Sequence, residues 1–139
     1  MTSVELIGRL VTGQGVARLY TRADWAREAF MNAAGIDPFP GTLNMVVADG
    51  PERRRWIAVR GRGGILLPAP VPSFCDGRLF RASVLSSGSG VVSDGAVVVP
   101  MVAGYPEDQV EIISTIGLRD ALGVGDGAEL VVRIALDRD

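Results

Sequence analysis

Apolar and polar residues alternate from Val4 to Leu10, and a second short apolar-rich stretch runs from Val16 to Tyr20. Alternation lines every second side chain along one face, so both stretches predict strands, joined through Thr12-Gly13-Gln14-Gly15. After Thr21 the period changes. Trp25, Ala29, Phe30 and Ala33 recur at helical spacing behind the capping-box sequence Thr21-Arg22-Ala23-Asp24, and Gly35 is the expected stop. Past Pro38 and Pro40 the strand pattern returns: Thr42 to Ala48 reads as one strand, and Asp49 to Val59 as a polar turn followed by another. Arg78 to Leu85, Ala96 to Val99, Val110 to Ile113 and Glu129 to Leu136 complete the strands. Leu118 to Leu122 predicts a helix of one to two turns ended by Gly123, and Gly61 to Gly64 and Ser86 to Gly90 read as loops.

Strands therefore dominate, with one longer and one short helix. There is no fixed-period repeat and no linker that would divide the chain, so residues 1–139 are expected to form one domain. Many short strands in so small a unit must deal with their edges, and a closed or nearly closed small barrel does so. The 18 glycines and 8 prolines punctuate short segments, as such a fold requires.

Composition narrows the chemistry. The formal net charge is -2, so no long-range field would draw the molecule to nucleic acid or to an acidic membrane. All 14 basic residues are arginine, and without lysine a Walker-type phosphate site is excluded. Histidine is also missing, which removes imidazole bases and imidazole metal ligands and leaves oxygen as the donor for any metal. Cys75 stands alone and cannot form an internal disulfide; near Pro72 it reads as a loop or core residue. The opening MTSVELIG carries Glu5 within too short an apolar run for a secretion signal, and no apolar stretch approaches membrane-spanning length. A cytoplasmic protein without a membrane partner is the expectation, as a monomer or a small homo-oligomer.

Three segments carry candidate chemistry. Gly13-Gln14-Gly15 would let backbone amides approach an anion, and equally fits a plain hairpin turn. In Pro38-Phe39-Pro40-Gly41-Thr42-Leu43-Asn44, Thr42 and Asn44 lie two apart at a strand start and project to one face. A hydroxyl and an amide carbonyl so placed suit a hard cation such as Mg2+, although both groups can also satisfy local backbone. From Val110 to Gly127, Glu111 sits in an otherwise apolar strand, either as a base or hydroxyl acceptor or as an ordinary edge glutamate. Leu118, Arg119 and Asp120 then open a short helix whose amides favour an anion, or form a surface pair. The run Arg53-Arg54-Arg55-Trp56, with Arg60 and Arg62 beyond, resembles a stacking nucleic-acid surface but reads better as a solvated strand beside Glu52.

Taken in order, VTGQG, PFPGTLN and YPEDQVEIISTIGLRDALGVGDG resemble the archaeal-type CTP-dependent riboflavin kinases over nearly the whole chain. That resemblance implies a mainly β, six-stranded cradle-loop barrel that transfers the γ-phosphate of CTP to the ribityl hydroxyl of riboflavin, giving CDP and FMN. It implies Thr42 and Asn44 as Mg2+ ligands. Gly13, Gln14, Gly15, Val16, Ala17 and Arg18, with Gly117, Leu118, Arg119, Asp120, Ala121 and Leu122, would form the nucleotide pocket. Glu111 would face the ribityl chain, orienting or deprotonating the attacking hydroxyl, and residue 103 would contact the flavin. Here that residue is Ala103, within Met101-Val102-Ala103-Gly104, where the family carries basic residues and a threonine; Ala17 likewise stands where the family often has glycine. Other expectations compatible with the segments are a kinase of another flavin or small alcohol, a non-catalytic nucleotide- or flavin-sensing barrel, and a DNA-binding barrel.

Overall fold

The computed structural model describes residues 3–11, 24–37, 42–60, 63–68, 76–87, 90, 92–101 and 103–136. Among these, the chain forms β1 (Ser3–Val11), α1 (Asp24–Ala34), β2 (Leu43–Val47), α2 (Pro51–Arg60), β3 (Ile65–Leu67), β4 (Gly77–Ser86), β5 (Val92–Pro100), β6 (Gln109–Ile113), α3 (Leu118–Leu122) and β7 (Glu129–Ala135). The strand order is β3-β4-β5-β6-β2-β1-β7, every neighbouring pair is antiparallel, and β4 also pairs with β7. Six strands thus close into the expected barrel, and β3 stands outside it.

The period-two pattern decides what fills the barrel. Leu6, Leu10, Leu43, Met45, Val47, Val97, Val99, Val110, Ile112, Leu130, Val132 and Ile134 form one buried cluster inside. The alternate residues Leu79, Ala96, Val98 and Ile113 point the other way, into a second cluster with Phe30 of α1 and Leu67 of β3. That outer layer explains why β5 and β6 are apolar on both faces. The helix over 24–34 is found where helical spacing predicts it, and Gly35, at φ 70°, ends it by donating to the Met31 carbonyl. The side chains of Asp24, Trp25 and Ala29, residues Thr21 to Ala23 of the capping sequence, and the strand expected over Val16 to Tyr20 lie outside the described residues.

One expectation is corrected. The segment read as a turn and a strand from Asp49 to Val59 is helix α2, so the barrel carries two longer helices and a short one. Gly50, at φ 105°, turns the chain into Pro51, whose fixed φ suits a first helical residue, and Arg54 N–H donates to the Gly50 carbonyl at 3.1 Å. Glu52 in the first turn and Arg60 in the last oppose the helix dipole. Trp56 is completely buried in the interior cluster, and its indole N–H donates to the Gln109 carbonyl at 3.0 Å. The arginine-tryptophan run is therefore neither a solvated strand nor a stacking surface.

Helix α2 also completes β1. Residues 3–7 of β1 pair with β7, but β2 reaches only residues 8–11. Over the remaining length Glu52 Oε1 accepts from Ile7 N–H at 2.8 Å, and Arg55 donates to the Glu5 carbonyl at 3.2 Å. Where β1 and β2 cross, Gly8 leaves no room: a Cβ there would lie 2.6 Å from both the Val46 carbonyl oxygen and Met45 Cγ. Gly8→Ala is expected to lower stability by about 1–3 kcal/mol, the scale of overpacking a tight core, read as a lower urea midpoint with unchanged slope; wild-type stability would show that this approach can relax.

Candidate active site

The site begins as a row of residues across four strands. Val11 on β1 pairs with Asn44 on β2, Asn44 with Glu111 on β6, and Glu111 with Val98 on β5. Strand alternation sends Val110 and Ile112 into the barrel and leaves Glu111 beside Asn44 on the outer face. Glu111 is fully buried there and Asn44 is 5% exposed. A carboxylate so placed needs partners.

It has them from both directions. Thr42, just before β2, donates from Oγ1 to Glu111 Oε1 at 3.5 Å. From the loop before β6, the Tyr105 hydroxyl donates to Glu111 Oε2 at 2.5 Å. Asn44 is fixed as well: its Nδ2 donates to the Thr42 carbonyl at 3.4 Å, and Gln109 Nε2 donates to its Oδ1 at 3.3 Å. The two residues expected to hold a cation therefore adjoin the one expected to meet the acceptor. Their donors, a hydroxyl, an amide carbonyl and a neighbouring carboxylate, are all hard oxygens, which fit Mg2+. Among the described residues no cluster of three or more Asp, Glu, His or Cys side chains offers a competing metal site.

Burial, the charge of Glu111 and the hydrogen bond to it raise the Tyr105 pKa far above its ordinary value of 10.0, with Arg60 opposing. Tyr105 therefore stays a protonated donor in the folded state. Because the folded pKa is the higher one, the associated stability is complete below pH 10 and is lost as pH rises beyond it.

The remaining candidates divide between the barrel ends. The segment Gly13 to Arg18 lies outside the described residues; β1 ends at Val11, two residues before it in the sequence. At that end Gly127 N–H donates to the Leu10 carbonyl at 2.7 Å, Leu10 N–H to Ala128 at 2.9 Å, and Arg9 to Gly127 at 3.1 Å. Helix α3 follows from β6 at the same end. Leu118 and Leu122 are buried in the interior cluster, and Gly123 closes the helix at φ 66°. Arg119 pairs with Asp126 at 2.7 Å, tying α3 to the turn that contacts β1; Asp120 and Ala121 are exposed.

At the opposite end, a cleft of about 720 Å3 opens beside Tyr105. Ile57, Val99, Pro100 and Met101 give it apolar walls, and Arg60 and Arg78 line it too. Ala103 is an exposed turn residue next to Gly104, which lines this cleft. Sequence reasoning assigned no role to Tyr105 or Gln109. Gln109 was findable, because it lies two residues before Glu111 and so shares its face. For Tyr105 the only local signal is an aromatic with a polar tip in a loop of small residues and prolines.

The sequence model of the CTP-dep_RFKase family, described as "Domain of unknown function DUF120", matches residues 10–134. Among curated proteins, a riboflavin kinase of Pyrobaculum arsenaticum is 34% identical over 145 residues, covering 98% of this chain and 63% of that protein. One from Pyrobaculum aerophilum is 35% identical over the same shares. One from Sulfolobus acidocaldarius is 31% identical over 136 residues, 96% of this chain and 82% of its own length. The chain spans a little under two thirds of the two Pyrobaculum proteins.

In a Tyr20→Phe background, where Tyr105 is the remaining tyrosine, tyrosinate absorbance is expected to appear together with alkaline unfolding. Its appearance near pH 10 in protein that is still folded by circular dichroism would contradict the buried hydrogen bond to Glu111.

Proposed function

This chain belongs to the CTP-dep_RFKase family, and on that premise we propose that it phosphorylates riboflavin to FMN with CTP as donor and Mg2+ as cofactor. The observation that carries the reading is Thr42, just before β2, joined with Asn44 of β2 and Glu111 of β6 in one hydrogen-bonded group. The glycine segment that follows β1 in sequence, together with α3, would take the nucleotide, and the cleft at the end opposite α3 would take the flavin. Between them lies Glu111, so donor and acceptor would approach the carboxylate from opposite sides. Such an order supports in-line transfer.

Thr42 Oγ1 and Asn44 Oδ1 would hold the cation. When bound, Mg2+ neutralises charge on the transferring phosphoryl group. The ribityl oxygen forms a bond to the γ-phosphorus as the bond to the β–γ bridging oxygen breaks, and CDP leaves. Glu111 orients the attacking hydroxyl and is the group at hand to accept its proton. Ala103 supplies no hydroxyl to the flavin, so recognition of the acceptor falls to shape and to the other cleft residues. A protein without lysine or histidine is not handicapped, because phosphoryl transfer rests on positioning and charge neutralisation.

Incubation with riboflavin, Mg2+ and either CTP or ATP is expected to yield FMN with CTP, detected by chromatography; no FMN with either nucleotide would overturn the reading. Thr42→Ala and Asn44→Ala are each expected to cut turnover by about 100-fold or more, the scale of losing one element of charge stabilisation, while the protein stays folded. Wild-type rates in either variant would remove the metal assignment.

A further inference from the structure

We propose that Tyr105 is a positioning residue of the reaction, acting through Glu111, and that Arg60 of α2 holds it in place. The inference rests on the kinase reading and adds to it a group that never touches the phosphate. Three observations converge on it. Glu111 spends Oε2 on the Tyr105 hydroxyl at 2.5 Å, which turns Oε1 toward Thr42. The Tyr105 ring lines the cleft assigned to the acceptor, so one side chain forms both the cleft wall and the support of the carboxylate. Behind it, Arg60 lies over the ring at 5.5 Å from its centre and donates to the carbonyls of Pro106 at 2.7 Å and Tyr105 at 3.5 Å.

A carboxylate with both oxygens free to rotate would have several orientations of similar energy in the seam. The phenol fixes Oε2 and so helps to set the plane of the carboxylate. It leaves Oε1 as the oxygen presented to the acceptor hydroxyl and to Thr42, so the acceptor and the cation-binding threonine address one fixed atom. Tyr105 also couples loop geometry to this atom: any shift of residues 104–106 moves the phenol, and Arg60 resists that shift from a helix anchored by buried Trp56.

Tyr105→Phe removes one oxygen and keeps the ring. With riboflavin and CTP saturating, its kcat for FMN formation is expected to fall about 10- to 100-fold, the scale of a misplaced reacting group. Affinity for CTP with Mg2+, measured by calorimetry, should stay within about twofold, since the phenol acts on the acceptor side. In a Glu111→Gln background the same substitution should cost less than about threefold more, because groups that act as one unit are not additive. Arg60→Met, which keeps an apolar stem over the ring, should lower kcat in the same direction by less, and it carries the test if Tyr105→Phe does not fold. Wild-type kcat in Tyr105→Phe, a parallel loss of kcat and CTP affinity, or full additivity with Glu111→Gln would each overturn the inference while leaving the kinase reading intact. Wild-type protein that makes no FMN would sink the kinase reading itself.

Discussion

One buried carboxylate sets the terms for the rest of the site. Glu111 occupies a position in β6 where neighbouring strands and the second apolar cluster exclude water. Burying a charge without partners costs several kcal/mol, so the surrounding chain must supply donors, and it does so from the residue preceding β2 and from the loop preceding β6. The same donors that make the carboxylate tolerable also fix its direction. The stability and the orientation of the carboxylate thus make the same demand on Thr42 and Tyr105.

How much of this was legible depended on whether the signal was local. The long strands followed from period-two alternation, and Glu111 stood out because a charge interrupted an apolar run. The placing of Thr42 and Asn44 side by side was readable from their spacing of two, whereas their assignment as metal ligands came from the family resemblance alone. Helix α2 was not, because its apolar content is confined to Trp56, Ile57, Ala58 and Val59 and no helical stripe emerges from so arginine-rich a segment. The cues that did mark it were Pro51, Glu52 and Arg60 at positions favoured by helix ends. Strand β3, with three residues, is too short to show a period. Tyr105 was illegible because its partner lies across a turn, on a strand whose burial only the folded barrel creates.

The barrel itself serves mainly to separate two surfaces while keeping them in register. A strand of five residues, β6, is all that lies between the loop carrying Tyr105 and the segment leading to α3. Because β6 is paired on both sides, by β2 and β5, its position does not depend on either loop. The buried carboxylate is consequently held by a strand paired on both sides, whereas the groups proposed to meet ligands hang from its two ends. A rigid centre with loops at its ends is an arrangement in which ligand preference can change without disturbing the centre.

The bonds from Glu52 and Arg55 to β1 have a further effect, felt outside the molecule. The half of β1 that β2 fails to reach would otherwise offer free amides and carbonyls in an extended row, a template on which a second copy of the chain could add a strand. Side chains from α2 take the Ile7 amide and the Glu5 carbonyl instead, and a helix cannot continue a sheet. The helix that braces the loop carrying Tyr105 thus also shields this edge of β1.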